Sequence, residues 1–215
     1  MIMKKILFLI TLLLFSSSTY AQFDFAGGMG ISFVNNSSLR DYLQINFPSG
    51  SKLSTFNSSV EFFIEGDYSV TTSFQLGLEY AYQIYSYTAS FSGTYVYDIS
   101  YGHHKPSVLA YYVISGNGYK FKFGGGAGLR IISLDEKIMN TVNYSTSGFG
   151  VLLKAQGHTL LGGNFYANIG VDLRYDLPGE PKNGSNYIVD NSINQNVNIN
   201  SLSFGIKLGI SYFFE

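Results

Sequence analysis

The sequence predicts an all-β fold, an eight-stranded antiparallel transmembrane up-and-down β-barrel, and three observations carry that expectation. The first is a side-chain period of two, the repeat of an extended strand, which recurs from Phe23 to Phe214. Its clearest case is the last segment, 201–214. Leu202, Phe204, Ile206, Leu208, Ile210, Tyr212 and Phe214 share one face, with Ser201, Ser203, Gly205, Lys207, Gly209 and Ser211 on the other. The second is composition: 17% of residues are aromatic and only 13% charged, about half the usual charged fraction. The third is that no charged side chain of the strands falls on an apolar stripe. A water-soluble barrel packs its apolar face inside, where space is short. A bulky apolar stripe opposite small or ionic residues suits a wall turned out to lipid around a polar bore.

The elements follow in chain order. Residues 1–21 read as a secretory signal peptide: Lys4 and Lys5 make the positive end, 6–15 the apolar run and Thr19-Tyr20-Ala21 the small-x-small cleavage site. The apolar run is too short to span a bilayer as a helix. Residues 22–215 then form the barrel domain, exported without a helical anchor. In the first strand Phe23, Phe25, Met29, Ile31 and Phe33 oppose Asp24, Ala26, Gly28, Gly30 and Ser32. The polar stretch 35–55 holds one helix candidate: Ser38-Leu39-Arg40-Asp41 has capping-box spacing, and Leu39, Tyr42, Leu43 and Phe47 repeat near the helical period.

The second strand, 56–66, sets Phe56, Val60, Phe62 and Ile64 outward and Asn57, Ser59, Glu61, Phe63 and Glu65 inward, before a short turn near 67–72. In the third, Phe74, Leu76, Leu78, Tyr80, Tyr82 and Ile84 oppose Gln75, Gly77, Glu79, Ala81 and Gln83. Its pattern outruns a bilayer, through Tyr85 and Tyr87 to a tip at Ser92-Gly93 and back through Tyr95, Tyr97 and Tyr101, as a hairpin above the lipid would. The fourth strand, about 105–114, is apolar on both faces. A tight Asn117-Gly118 turn assigns them: Ile114 then lies opposite Phe121 and Tyr112 opposite Phe123, all outward. Tyr111 meets Gly124 and Leu109 meets Gly126 in the bore, large against small.

The fifth strand, 119–131, turns Tyr119, Phe121, Phe123, Ala127, Leu129 and Ile131 out and Lys120, Lys122, Gly124, Gly126, Gly128 and Arg130 in. After a polar loop the sixth, about 147–158, places Phe149, Val151, Leu153 and Ala155 out and Gly150, Lys154, Gln156 and His158 in. The seventh places Phe165, Ala167, Ile169, Val171, Leu173 and Tyr175 out, with Asn168, Gly170, Asp172, Arg174 and Asp176 in. A long Asn-rich loop, 177–198, precedes the last strand. Val197 and Ile199 are odd-numbered and the final apolar stripe even, which calls for a β-bulge near Asn200 or Ser201. Long and short connections alternate, the asymmetry of a barrel with both termini on one side.

Twelve charges fall on inward faces: Asp24, Glu61, Glu65, Glu79, Lys120, Lys122, Arg130, Lys154, Asp172, Arg174, Asp176 and Lys207. An eight-stranded bore has room for side chains or one small ligand. A lone buried charge costs several kcal/mol, so the six carboxylates and six cations are expected to pair into a plug. The remaining mature-chain charges fall in loops, turns and the terminus. A narrow ion or solute path is the alternative reading of the same residues.

Other chemistry finds little support. With 0 Cys there is no disulfide, thiolate metal site or cysteine nucleophile. His103 and His104 adjoin on opposite faces of a strand and cannot share a metal site, and a surface role is expected for them. His103 or His104 with Asp98 and Ser100 could supply a hydrolase at the rim, but their spacing is not diagnostic. No catalytic residue, metal or cofactor is assigned. Beyond the leader, 11 basic side chains stand against 14 acidic ones, and no basic stripe suggests nucleic acid. The Gly124–Gly128 run lies in no strand–helix phosphate cradle. The tyrosine hairpin 85–101 has two readings, a sticky strand edge for partners, or an aromatic girdle with loop packing, which is preferred.

Lys207-x-Gly209-x-x-Tyr212-x-Phe214 resembles the C-terminal insertion signal of bacterial outer-membrane barrels, although Glu215 follows where such chains normally stop. The whole mature chain resembles the small eight-stranded group that includes outer-membrane protein X and the barrel of outer-membrane protein A, without the latter's peptidoglycan-binding domain. The resemblance implies residence in the cell outer membrane and contact with its lipid. It implies insertion by the barrel-assembly machinery, and a structural or surface-interaction role in which long loops meet a protein or ligand.

Overall fold

The computed structural model describes residues 23–46, 57–91, 95–190 and 194–214. The expected leader, Phe47, Phe56, the tip at Ser92-Gly93 and Glu215 lie outside them. Eight long strands form the wall: β1 (Phe23–Asn35), β2 (Asn57–Thr71), β3 (Phe74–Phe91), β4 (Tyr95–Gly116), β5 (Tyr119–Lys137), β6 (Thr141–Gly162), β7 (Phe165–Leu177) and, after four two-residue strands, β12 (Ser201–Phe213). The short ones are β8 (Lys182–Asn183), β9 (Asn186–Tyr187), β10 (Val189–Asp190) and β11 (Gln195–Asn196). Each long strand pairs antiparallel with its neighbour in sequence, and β12 pairs with both β7 and β1, which closes the ring. The helix α1 (Ser37–Asn46) joins β1 to β2. Among the described residues no helix is long and apolar enough to cross a membrane; the strands cross.

The inferred faces hold throughout the band. Leu78, Phe149, Leu153, Ile169 and Leu208 stand exposed on the outer wall, whereas Glu61, Lys122, Arg130, Arg174 and Lys207 are buried within. The β4–β5 register is the one that the Asn117-Gly118 turn dictates: Ile114 pairs with Phe121, Tyr112 with Phe123, Tyr111 with Gly124 and Leu109 with Gly126. A Cβ on Gly124 would come within 2.0 Å of Ala110 O and 2.6 Å of the Tyr111 ring, so only glycine lets Tyr111 lie flat inside. Gly118 takes φ 78° in the turn itself.

Four expectations need correction, and one physical cause underlies two of them. β5 continues to Lys137 and β6 begins at Thr141, so the polar loop after Ile131 is strand. At the opposite end β2 runs through the expected 67–72 turn to Thr71, while β4 is unbroken from Tyr95, which joins the expected tyrosine hairpin to the expected fourth strand. No bulge precedes β12: its register with β7 and β1 is unbroken, and Val197 and Ile199 point inward like Ser201 and Ser203. The cause lies in the upper wall, where inside and outside exchange polarity. Along β3 the inward series passes from Gln83 to Tyr85 and Ala89, while the outward series passes from Ile84 to Ser86 and Thr88. Along β5 it passes from Arg130 to Ile132 and Leu134, with Ser133 and Asp135 outside. Below this level the wall meets lipid and the bore is ionic; above it the wall meets water and the interior is greasy.

The fourth correction concerns the helix. Asn36, not Ser38, is the N-cap: its side-chain Oδ1 accepts the Leu39 N–H at 2.9 Å, and its carbonyl accepts the Arg40 N–H at 3.0 Å. Asp41 pairs with its neighbour Arg40 at 2.8 Å, and Ser38 Oγ instead accepts the Asn198 N–H at 3.1 Å, holding the last loop. Leu39, Tyr42 and Leu43 turn down into the mouth.

Candidate functional site: the ion-paired bore

Among the described residues, strand alternation gathers ionisable side chains from every side in the bore. All twelve predicted charges are there; Asp67 joins them because β2 runs further than expected, and Lys105, the first residue of the expected fourth strand, because it faces inward with Leu109. Seven carboxylates thus face seven cations. They lie in three tiers.

At the end bearing the short turns, Asp24 accepts from Lys120 at 2.9 Å, from Lys122 at 3.0 Å and from the Gln75 amide at 2.8 Å. Lys122 also reaches Asp67 at 2.6 Å. Phe213 floors this tier: the Lys120 ammonium lies 3.8 Å from its ring centre, and Tyr166 stacks on it at 4.2 Å.

In the middle tier Lys154 bridges Glu65 and Glu79, the second contact at 2.5 Å. Glu65 also accepts from Tyr111 at 3.1 Å and Gln156 at 2.9 Å. His158 sits beneath, its two nitrogens against Ser211 Oγ at 3.0 Å and Gln156 Oε1 at 3.1 Å. Arg174 donates to Glu79 at 2.8 Å and Asp172 at 2.9 Å, with Glu61 at 3.6 Å. Lys207 meets Glu61 at 2.6 Å and Asp172 at 2.7 Å.

In the upper tier Lys105 spans Glu61 at 3.0 Å and Asp176 at 3.4 Å, while Arg130 holds Asp176 and donates to Ser107 Oγ at 3.1 Å. Arg130 Nη2 and Arg174 Nε and Nη1 find no protein acceptor, which suits a hydrated polar core. His103 is buried at the top of this tier, only 2% exposed, so the expected surface role does not apply to it.

An apolar ceiling closes the mouth. Tyr85, Tyr97, Ile99, Tyr101, Ile132 and Leu134 of the tall hairpins pack with Leu39, Tyr42 and Leu43 of α1 and with Ile188, Val197 and Ile199 of the last loop. Tyr85 and Tyr101 stack at 4.9 Å. Tyr42 and Tyr97 each donate to Glu136 Oε1 at 2.8 Å, which pins the helix to β4 and β5. Burial, then the Glu136 carboxylate, raises both tyrosines above the ordinary phenol range. The tyrosine hairpin therefore turns Tyr85, Tyr97 and Tyr101 into the mouth; packing is their role, and no girdle is built from them.

Other sequence candidates are dispersed. His104 is on the outer face with Asp98 and Ser100, which stand six and four residues away along one strand. At about 3.3 Å per residue that is roughly 20 and 13 Å, beyond hydrogen-bond reach. Among the described residues no group of three or more His, Asp or Glu side chains is arranged to hold a metal ion. Of the insertion-signal residues, Lys207 is in the bore, while Tyr212 and Phe214 turn outward, their rings 4.7 Å apart. The Phe214 N–H bonds Phe23 O at 2.8 Å, sealing the last strand to the first.

This geometry can be set beside known proteins. No protein-family model matches the chain, and comparison by sequence with curated proteins finds no relative. Solved structures do match. Ail, the attachment invasion locus protein of Yersinia pestis, superposes with a TM-score of 0.54 at 14% identity, over 91% of this chain and all (100%) of that one. The same protein in complex with the heparin analogue sucrose octasulfate gives 0.54 at 12% identity, with the same coverage. Neisserial surface protein A covers 90% of this chain and 97% of its own at a TM-score of 0.48 and 12% identity. The fold is that of the bacterial eight-stranded outer-membrane barrels. Against it, the outer-membrane-barrel features of this chain are its inverted faces, its closed ring and its pairing of last strand with first.

Proposed function

We propose that the chain is exported on its 1–21 leader to the cell outer membrane and works there as a non-enzymatic structural and surface-interaction barrel. Its contact surface is the tall rim, formed by the two long hairpins, α1 and the 178–200 loop. One observation carries this reading: the bore is closed along its length, by Phe213 below, by the paired charges between and by the apolar ceiling above. A closed bore leaves the rim as the part that can meet another molecule. Membrane lipid surrounds the wall, and the Lys207, Gly209, Tyr212 and Phe214 signature is the segment that the barrel-assembly machinery would engage. The described rim carries Asp41, Asp98, Asp135, Glu136, Glu180 and Asp190 against Arg40, Lys137 and Lys182, so it does not favour a sulfated ligand such as the one bound by Ail.

The purified protein in planar bilayers should show no stable single-channel steps. Steps that disappear on replacing Arg130 or Glu79 would establish the alternative, a narrow solute path through the middle tiers. Replacing 92–94, between β3 and β4, and 138–140, between β5 and β6, with glycine and serine should abolish attachment of cells carrying the protein to its target surface. The barrel itself should keep its heat-modifiable gel migration.

A further inference from the structure

After β7 ends at Leu177 the chain passes Pro178 and Gly179 and turns out as the β8–β9 hairpin, beside the upper outer face of β5 and β6. A pocket of about 640 Å³ lies in the angle between them. Ile131, Ser145 and Ser147 line one wall, and Glu180, Lys182 and Tyr187 the other. That volume is in the range of small-molecule sites, about 300–1,000 Å³. Strand register sets its height, since Ile131 pairs with Ser147 and Ser133 with Ser145. Ile131 is the last apolar side chain of the outward β5 series before Ser133 and Asp135. The pocket therefore opens into water, immediately above the lipid band.

Both walls are fixed by the chain itself. Lys182 pairs with Ser145 of β6 and with Tyr187 across the hairpin, whose turn carries Gly184 at φ 60°. Thr146 Oγ1 donates to Pro178 O at 2.5 Å, and the Gly179 N–H donates to Asn200 Oδ1 at 3.0 Å. At the far end Ile188 is buried in the ceiling, and its carbonyl accepts the Val197 N–H at 2.8 Å. Asn196 Nδ2 donates to Glu180 Oε2 at 2.8 Å, which orients that carboxylate. Tyr187, next to the buried Ile188, is left 40% exposed. An exposed ring on a fixed wall is a platform already ordered for a ligand.

We propose that this pocket binds one neutral hexose unit of a glycan, its C–H face against Tyr187 and Ile131 and its hydroxyls toward Ser145, Ser147, Glu180 and Lys182. The lining selects among classes of ligand. Glu180 offsets Lys182, so a phosphate or sulfate gains little from the charge. A fatty chain would strip water from serine, carboxylate and ammonium groups and return no hydrogen bond. An extended peptide finds the β6 edge already paired with β8. A sugar carries both an apolar face and a ring of donor–acceptor hydroxyls. It matches an aromatic and an aliphatic side chain set beside polar ones. The proposal deepens the surface-interaction reading above, on which it rests, by naming a ligand class.

Saturation-transfer NMR on the full barrel in phosphatidylcholine nanodiscs tests it. The probes are lactose, chitotriose, sulfated lactose and the core oligosaccharide released from the producing cell's own glycolipid. At least one unsulfated probe should receive saturation on its ring protons. Tyr187→Ala should weaken binding about tenfold, the worth of one stacked ring. Glu180→Gln should weaken it roughly three- to tenfold, and Tyr187→Trp should retain it. Heat-modifiable migration should be unchanged in all three. Binding of the core oligosaccharide alone names the cell's own glycolipid as the source, and binding of lactose or chitotriose a glycan of the facing surface; both uphold the hexose site. Tighter binding of sulfated lactose, lost with Lys182→Met, would make it an anion site and overturn the proposal. A signal indifferent to Tyr187→Ala would place the sugar elsewhere and refute the pocket. No signal from any probe, with cells still attaching through the tips, would sink the pocket alone. A Tyr187-dependent signal without attachment would sink the reading of the rim as contact surface and leave the pocket standing.

Discussion

Arg174 shows what a single residue does in this bore. It is fully buried and lies among Glu79, Asp172 and Glu61, so its charge is shared by three carboxylates. Arg174→Met should cost about 3–5 kcal/mol, because it strands buried negative charge rather than removing a balanced pair. The midpoint of urea unfolding in vesicles measures this. Arg174→Met with Glu79→Gln should recover part of the loss, and a double variant no more stable than the single would show the pair uncoupled. Twelve of the fourteen bore charges were readable from parity. Asp67 and Lys105 were missed although they share odd parity with Glu65 and Leu109, since Asp67 lies past the expected end of its strand and Lys105 at the very start of its own. Which cation meets which carboxylate was not readable, because partners such as Lys120 and Asp24 are separated by 96 residues.

At the scale of the element, the tall hairpins and the helix are where sequence reading was weakest. The period-two pattern persists above the rim, but its meaning reverses, so that apolar residues no longer mark the outside. Ile132→Asp should therefore disrupt the ceiling, at several kcal/mol for an unpaired buried charge, while the adjacent Ser133→Asp should stay within about 0.5 kcal/mol. The readout is protease cleavage of the β5–β6 hairpin in intact vesicles; equal sensitivity would contradict the inward placement of Ile132. The helix was found where Leu39, Tyr42 and Leu43 repeat, yet Asn36 holds its start. Asn36→Ala should weaken it by about 1 kcal/mol and speed cleavage in α1, without altering the barrel's gel migration.

For the whole molecule, two solvents act on one cylinder. The ceiling is held partly by Tyr42 and Tyr97, neutral donors to Glu136, both raised above the phenol value of 10.0. A raised folded value means that stability is full below about pH 10 and declines as pH climbs past it. Alkaline titration should open the mouth to protease before the barrel unfolds, and Tyr97→Phe should remove part of that pH dependence. A ceiling that loosens on acidification instead would refute the assignment. The charged tiers below should keep the heat-modifiable migration throughout that step.

By itself the sequence determined the strands within the lipid band, their faces, the β4–β5 register and the ionic character of the bore. Those follow from a repeat of two and from the cost of placing charge against lipid, both local to each strand. Only the tertiary structure decided how far the strands rise, that the mouth is sealed by α1 and the last loop, and which charges pair. These depend on where lipid gives way to water and on contacts between segments far apart in the chain, and no local pattern records either.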